Sequence, residues 1–290
     1  MHDFAMHQPS TLAEALALLD EHGYDARPIA GGTALVLLMK QSLALPEHLV
    51  NLDAVADADG LRGVRLEADG LHIGALTRHR EVETSAVVRE FAPLLADVYA
   101  RVATVRIRNA ATVGGGLAHA DPSQDPPAAL LALDARVEVA STGGTRTLPL
   151  EELFVDYYES ALEPGELITE FVVPRPAWGS RGAYLKFLPR TEDDYATVAA
   201  AALGRIEGGV CRDVRVGLIA VGPTPVRARA VEEALEGEAA SLEAVRRASE
   251  AVVDVVDPLD DVRGSAAYKR DMAVVFTRRA LERALGLAAS

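Results

Sequence analysis

The apolar and polar positions divide this chain into a mixed first part and a second part of strands followed by helices. A helical pattern runs from Thr11 to Leu19, with Gly23 positioned to end it. Its cap is Ser10 or Thr11; Glu14 completes a capping box if Thr11 is the cap. Arg27 to Ala30 reads as a strand, Thr33 to about Ser42 as a helix, and His48 to Leu52 as a second strand. Together they make a small βαβ-like unit whose glycine turn lies at a strand's C-terminal end, where α/β folds collect ligands.

Alternation from Leu61 to Ala75 around Asp69-Gly70 predicts a hairpin, and helical segments follow through Ala100. Leu130 to Ala140 reads as a strand that Gly143-Gly144 turns back towards Arg146 to Leu148. Glu151 to Tyr158 reads as a short helix beside a loop, and Leu167 to Val173 as a strand closed by Pro174. Pro174 to Gly182, with Pro176, Trp178 and Gly179, reads as a linker. Beyond it, Ala183–Leu188, Thr197–Ile206 and Val210–Val221 predict an antiparallel meander. Helical patterns then fill Ala228–Leu235, Leu242–Val253 and Ala266–Gly286. Strands followed by helices point to a separate α+β unit.

Two glycine stretches carry the candidate chemistry. Ile29 to Lys40 reads I-A-G-G-T-A-L-V-L-L-M-K, a strand, a glycine turn and a helix. Thr112 to Asp125 reads T-V-G-G-G-L-A-H-A-D-P-S-Q-D, which its glycines and the neighbouring Pro122 and Pro126 predict to be a loop rather than a helix. Glycine runs expose backbone N–H groups, and successive exposed N–H groups make an anion-binding concavity. Neither stretch carries the P-loop Gly-Lys-Ser/Thr or the G-x-G-x-x-G fingerprint. Two separate turns suit a ligand with two phosphates, such as an extended dinucleotide. On the residues alone, two purely structural turns explain them equally well.

Composition narrows the classes. A 290-residue chain that is 49% hydrophobic and 25% charged can hold two or three cores. A formal charge of −14 argues against non-specific nucleic-acid binding. Cys211 is the sole cysteine, so the chain has no intrachain disulfide and cannot alone hold an iron–sulfur cluster. The histidines, His2, His7, His22, His48, His72, His79 and His119, show no metal-ligand spacing, so no metal is expected. The absence of a signal-like opening or of an apolar run near ~18 residues points to a cytoplasmic protein without direct membrane insertion. No G-x-S-x-G elbow occurs, and covalent hydrolase chemistry has no support.

The pair A-G-G-T-A-L (Ala30 to Leu35) and T-V-G-G-G-L-A-H-A-D-P (Thr112 to Pro122) resembles the FAD-binding subunit of molybdenum hydroxylases, the family of the carbon monoxide dehydrogenase medium subunit and the xanthine dehydrogenase flavin module. Arg108-Asn109, G-E-L-I-T (Gly165 to Thr169) and K-x-x-x-R-x-E-D-D-Y-A (Lys186 to Ala196) match in the family's order over nearly the whole chain. The resemblance implies an α+β fold. An FAD-binding domain over 1–176, of the two-subdomain PCMH or vanillyl-alcohol-oxidase-like type (about 1–55 and 56–176), precedes a C-terminal domain over 177–290 with an antiparallel sheet and helices.

It also implies non-covalent FAD held by Ile29, Ala30, Gly31, Gly32, Thr33, Ala34 and Leu35 and by Thr112, Val113, Gly114, Gly115 and Gly116, with His119 inside the second motif. Asp121 and Asp125 match acidic positions, Asp125 near the ribose end; their other reading is a pair of loop-capping carboxylates. Lys186 matches a lysine near the flavin, or serves as a strand-edge charge. Tyr195 matches an aromatic at the flavin ring, and Ile168 an apolar contact to it; each is otherwise a core residue. Gly116 departs from the family's usual Asn, Asp or Ser. The implied partners are an iron–sulfur small subunit, a molybdopterin large subunit and an external acceptor: NAD, a quinone or oxygen. No residue here then acts as acid or base on the organic substrate. Two other functions fit the dinucleotide turns: a regulatory or assembly module without turnover, and a stand-alone flavin oxidase.

Overall fold

The computed structural model describes residues 3–58, 60–175, 181–188, 190–191 and 193–288, without the side chains of residues 57, 58 and 181. Of the predicted Pro174 to Gly182 linker, residues 176–180, where the domain boundary was expected, lie outside the described residues, whereas Pro174 ends one strand and Arg181 and Gly182 begin the next; Glu192 of the Lys186 to Ala196 motif also lies outside them.

Three units follow one another. The first holds β1 (Ala5–His7), α1 (Leu12–His22), β2 (Ala26–Ile29), α2 (Leu35–Lys40) and β3 (His48–Asn51). Its sheet is parallel, in the order β1-β3-β2, with His48 opposite Ala5 on one side and Ala26 on the other. Thr11 caps α1 through its side chain, and the Glu14 carboxylate accepts from the Ser10 N–H at 2.8 Å, so both candidate cap residues take part. Three-residue β1 is too short for any periodicity and went unpredicted.

The second unit is a five-stranded antiparallel sheet of β4 (Val64–Leu66), β5 (Gly70–Gly74), β6 (Arg136–Ser141), β7 (Gly144–Pro149) and β10 (Leu167–Pro174), ordered β4-β5-β10-β6-β7. The β8 (Phe154–Asp156) and β9 (Glu159–Ser160) ribbon stands beside it. Helices α4 (His79–Thr84), α5 (Ala86–Phe91), α6 (Pro93–Ala100), α7 (Val105–Ala110), α8 (Val113–His119) and α9 (Pro126–Ala132) complete it, whereas α3 (Val55–Ala58) places Val55 and Ala56 in the first unit's core.

Three expectations are corrected here. The Thr112–Asp125 stretch is not all loop, because Val113–His119 is helical. The apolar run at Leu130 starts inside a helix rather than a strand: Pro126 and Pro127 occupy its first turn, where a missing N–H costs nothing, and the strand begins only at Arg136. Glu151 to Tyr158 forms only the end of a 3₁₀ turn, Leu150–Leu153, before β8.

The third unit is the predicted meander, β11 (Arg181–Phe187), β12 (Val198–Glu207) and β13 (Val210–Ile219), with β14 (Val226–Arg227) added at its edge. Helices α10 (Arg229–Leu235), α11 (Leu242–Ser249) and α12 (Ala266–Ala284) cover one face. Val198, Ala200 and Ala202 point to those helices, whereas Ala199, Ala201 and Leu203 point to the second unit's core. Small residues on both faces let other elements come close. A β-carbon at Gly217 would lie 2.1 Å from the Ala128 carbonyl oxygen, so α9 rests directly on β13. That contact fixes the start of α9, where Asp125 stands, against this sheet.

Candidate functional site

The first glycine turn leaves the C-terminal end of β2. Gly32 has φ +66°, a left-handed conformation that suits glycine. The chain then enters α2, with the Val36 N–H donating to the Gly32 carbonyl at 3.0 Å. The N–H groups of Gly31, Gly32, Thr33 and Ala34 have no acceptor among the described residues, nor has the Thr33 hydroxyl a partner. All four residues, like Ile29, Ala30 and Leu35 around them, are only partly buried. Four consecutive free N–H donors at a helix start favour an anion.

The second glycine turn differs from the expectation of open N–H groups. Thr112 is the N-cap of α8; its hydroxyl accepts from the Gly115 N–H at 3.3 Å and its carbonyl from the Gly116 N–H at 3.0 Å. Val113 N–H donates to the Thr77 carbonyl at 3.0 Å and Gly114 N–H to the Ala75 carbonyl at 2.8 Å. The Ala75 N–H in turn donates to the Thr169 carbonyl at 2.8 Å, at the bulge that follows Ile168 in β10. This turn is therefore saturated within the chain. Its glycines serve close approach: a β-carbon at Gly114 would meet the Ala75 β-carbon at 2.5 Å.

The fold places the two turns side by side. A β-carbon at Gly31 would lie 2.1 Å from the Ala110 carbonyl oxygen and 2.9 Å from the Ala111 α-carbon, just before Thr112. Arg78 locks the junction: its guanidinium donates to the Ala110 carbonyl and pairs with Asp53 at 3.2 Å. Beneath the second turn, His79 is buried, with Nε2 3.2 Å from the Thr112 carbonyl. A carbonyl only accepts, so Nε2 carries the hydrogen, and the buried Nδ1 has no partner. Burial holds the His79 pKa down at about 4, the nearby Arg108 acting in the same sense.

At the other end of α8, Ala120 takes a left-handed φ of +51° and Tyr158, in the β8–β9 turn, one of +57°. Tyr158 N–H donates to the Ala120 carbonyl at 3.2 Å, bringing its ring centroid 5.3 Å from that of His119. Burial pushes the His119 pKa down, although Asp121 opposes it. Asp121 accepts from the Ser123 N–H at 2.9 Å, and its charge bears on the Tyr195 hydroxyl. The Tyr195 ring is 54% exposed. Desolvation of its hydroxyl, then the Asp121 charge, pushes its phenol well above the usual range. Ile168 is buried, in the same core as Ala120 and Ala196.

Asp125 and Lys186 form a third cluster. Both side chains are buried and their charged atoms are 3.0 Å apart, so Lys186 is not a strand-edge charge in solvent. The Tyr184 hydroxyl donates to the other Asp125 oxygen, and Lys186 also reaches the Arg101 carbonyl at 3.3 Å. Burial pushes the Asp125 carboxyl up against the opposing pull of Lys186. Tyr184 was missed, although its i, i+2 relation to Lys186 on one strand face was readable. Arg78, His79 and Tyr158 were missed because their contacts exist only in the folded chain.

A family model described as the FAD binding domain in molybdopterin dehydrogenase matches residues 2–176. The chain belongs to the FAD-binding subunit family of molybdenum hydroxylases. A second model, the CO dehydrogenase flavoprotein C-terminal domain, matches residues 183–284. The subunit is 37% identical to the carbon monoxide dehydrogenase medium chain of Hydrogenophaga pseudoflava, over 97% of this chain and 96% of that one. It is 38% identical to the 6-hydroxypseudooxynicotine dehydrogenase complex subunit alpha of Paenarthrobacter nicotinovorans, over 95% and 92%. The structure of carbon monoxide dehydrogenase from Hydrogenophaga pseudoflava superimposes with a TM-score of 0.94 at 38% identity, covering 99% of each chain. The subunit is thus a flavoprotein of the oxidoreductase class, its cofactor is FAD, and the α+β fold is the expected one. No helix among the described residues is long and apolar enough to cross a membrane.

Proposed function

We propose that this subunit is the electron outlet of a cytoplasmic molybdenum-containing hydroxylase complex. A molybdopterin large subunit oxidises the substrate, an iron–sulfur small subunit relays the electrons, and an external acceptor (NAD, a quinone or oxygen) takes them. FAD, when bound, supplies the two-electron redox chemistry; the protein contributes binding, orientation and electrostatics. The observation that carries the reading is the pair of apposed glycine turns, one with four free N–H donors.

The N–H groups of Gly31, Gly32, Thr33 and Ala34, with the Thr33 hydroxyl, would hold the pyrophosphate. Ile29, Ala30 and Leu35 would frame that cradle. Gly115 and Gly116 would form its opposite wall, with Thr112, Val113 and Gly114 buried behind them as its support, offering a side-chain-free surface and the positive end of α8 rather than free donors. His119, Ile168 and Tyr195 would border the flavin ring, with Asp121 orienting the Tyr195 hydroxyl. Asp125 and Lys186 would fix the wall behind, with Asp125 towards the ribose end.

The test is on the purified complex. It should be yellow, release FAD on denaturation, copurify with iron–sulfur and molybdenum subunits, and show flavin bleaching with the complex's substrate. A colourless chain that takes up no FAD would overturn the cofactor site. FAD without partners or substrate-driven bleaching would overturn the relay.

A further inference from the structure

We propose that His7, His22 and His48 form a binding site for a divalent cation of the zinc class, separate from the flavin cradle. The three residues lie far apart in sequence, and the fold assembles them: His7 ends β1, His22 ends α1 and His48 opens β3. His7 Nε2 is 2.9 Å from His48 Nδ1, and the His22 ring stacks on that of His48 at 3.7 Å and 4°. One ring nitrogen from each residue lies within 4.8 Å of the other two.

Zinc–imidazole bonds of about 2.0–2.1 Å place the nitrogens of a tetrahedral site roughly 3.3 Å apart. One pair is already near that separation; because imidazole lone pairs lie in the ring plane, the His22 ring must turn out of its parallel stack on His48 to bring in the third. Apart from one another, these rings have no polar partner among the described residues. All three are partly exposed, leaving room for a fourth ligand from solvent. Imidazole donors select zinc, nickel and copper over magnesium and calcium.

The other compact group, Glu67, Asp69 and His72, is a weaker candidate because its atoms are committed. His72 contacts Asp69 at 2.9 Å and Glu170 at 2.8 Å, while Arg65 and Arg136 neutralise the carboxylates. A cation there would compete with two arginines. At the histidine site it would meet three neutral-capable donors and no cation is bonded to them.

A metal at this site would tie the end of α1 to β1 and β3. His48 pairs with Ala26 at the start of β2, whereas the glycine turn follows Ile29 at its end. The site is therefore structural: it clamps the sheet that delivers Gly31 and touches no cradle residue.

The experiment is calorimetric titration of the full flavin-loaded chain with Zn²⁺ alone, after chelator treatment and dialysis. One Zn²⁺ should bind per chain and raise the melting temperature. Co²⁺ in its place should give visible ligand-field bands of a low-coordinate nitrogen site. His22→Ala and His48→Gln should each weaken Zn²⁺ at least tenfold and abolish those bands, with FAD content unchanged as the check on folding. His72→Ala should bind like wild type. No Zn²⁺ uptake by wild type, or undiminished affinity in both histidine variants, overturns the proposal.

Discussion

A β-carbon on Gly31 would lie 2.1 Å from the carbonyl oxygen of Ala110, a separation that no pair of real atoms tolerates. The Ala110 carbonyl cannot simply swing away, because the Arg78 guanidinium donates to it and is itself paired with Asp53. Gly31→Ala must therefore part the two glycine turns. Most of the FAD should be lost, read as flavin absorbance per chain, with far-UV circular dichroism near wild type. Gly143→Ala, whose added carbon meets nothing closer than 3.6 Å, is the control and should keep full flavin. Full flavin in Gly31→Ala would show that the apposed turns do not form the cradle.

His79 makes the second turn acid-sensitive. Its folded pKa is about 4 against 6.5 for an ordinary imidazole. Above pH 6.5 it is neutral in both folded and unfolded chains. As pH falls from 6.5 to 4 the unfolded chain takes up a proton that the folded chain refuses, so stability is lost across that window. The loss approaches about 3 kcal/mol at its lower end. The physical cause is Nδ1, buried with no acceptor for a new N–H. His79→Gln should have lower stability at pH 7, since the packing on Tyr99 changes, but a flatter profile between pH 6.5 and 4. A variant whose denaturation midpoint falls with pH as steeply as wild type would remove His79 from this role.

Much of this architecture is legible because alternation and turn glycines agree. The meander of β11 to β13 is an example, with Gly208 and Gly209 at one of its turns. The α8 helix was hidden because three glycines and flanking prolines are breaker signals, yet Pro122 and Pro126 lie beyond its seven residues. The run at Leu130 carries no helical signal because α9 is buried on every side, and periodicity cannot separate a buried helix from a buried strand. At the site, the residue types were readable and their partners were not. Lys186 could be singled out as one of three lysines, but its burial against Asp125 depends on α9 resting on β13.

That ion pair gives a third prediction. Lys186→Met leaves Asp125 buried with only the Tyr184 hydroxyl to bond, and stranding one partner of a buried pair costs on the order of 3–5 kcal/mol. Asp125→Asn added to Lys186→Met should restore part of that loss, because an amide carries no charge to strand. Chemical denaturation of the four chains of this cycle measures the coupling. A coupling near zero would mean that the pair is not an energetic unit and that Lys186 is held by the Arg101 carbonyl alone.

The last prediction separates flavin binding from electron release at Tyr195. Tyr195 is half exposed while its hydroxyl lies in the field of the Asp121 carboxylate, so one end of the side chain faces that charge and the ring presents a face to solvent. The proposed pyrophosphate cradle at Gly31 to Ala34 does not involve it. Tyr195→Ala should therefore keep most of the FAD, because a lost aromatic contact is worth roughly 0.5–1.5 kcal/mol beyond area. The flavin absorption band should shift and its reoxidation by the external acceptor should change rate. Tyr195→Phe keeps the ring and removes the hydroxyl that faces the Asp121 charge, so it should fall between wild type and alanine in reoxidation and lie near wild type in spectrum. In the proposed relay, reduction of the partner subunits' centres by substrate precedes this flavin, so it should be equal in all three proteins. An alanine variant with wild-type spectrum and reoxidation would place Tyr195 away from the flavin, and the roles proposed for His119 and Asp121 at the same border would fall with it.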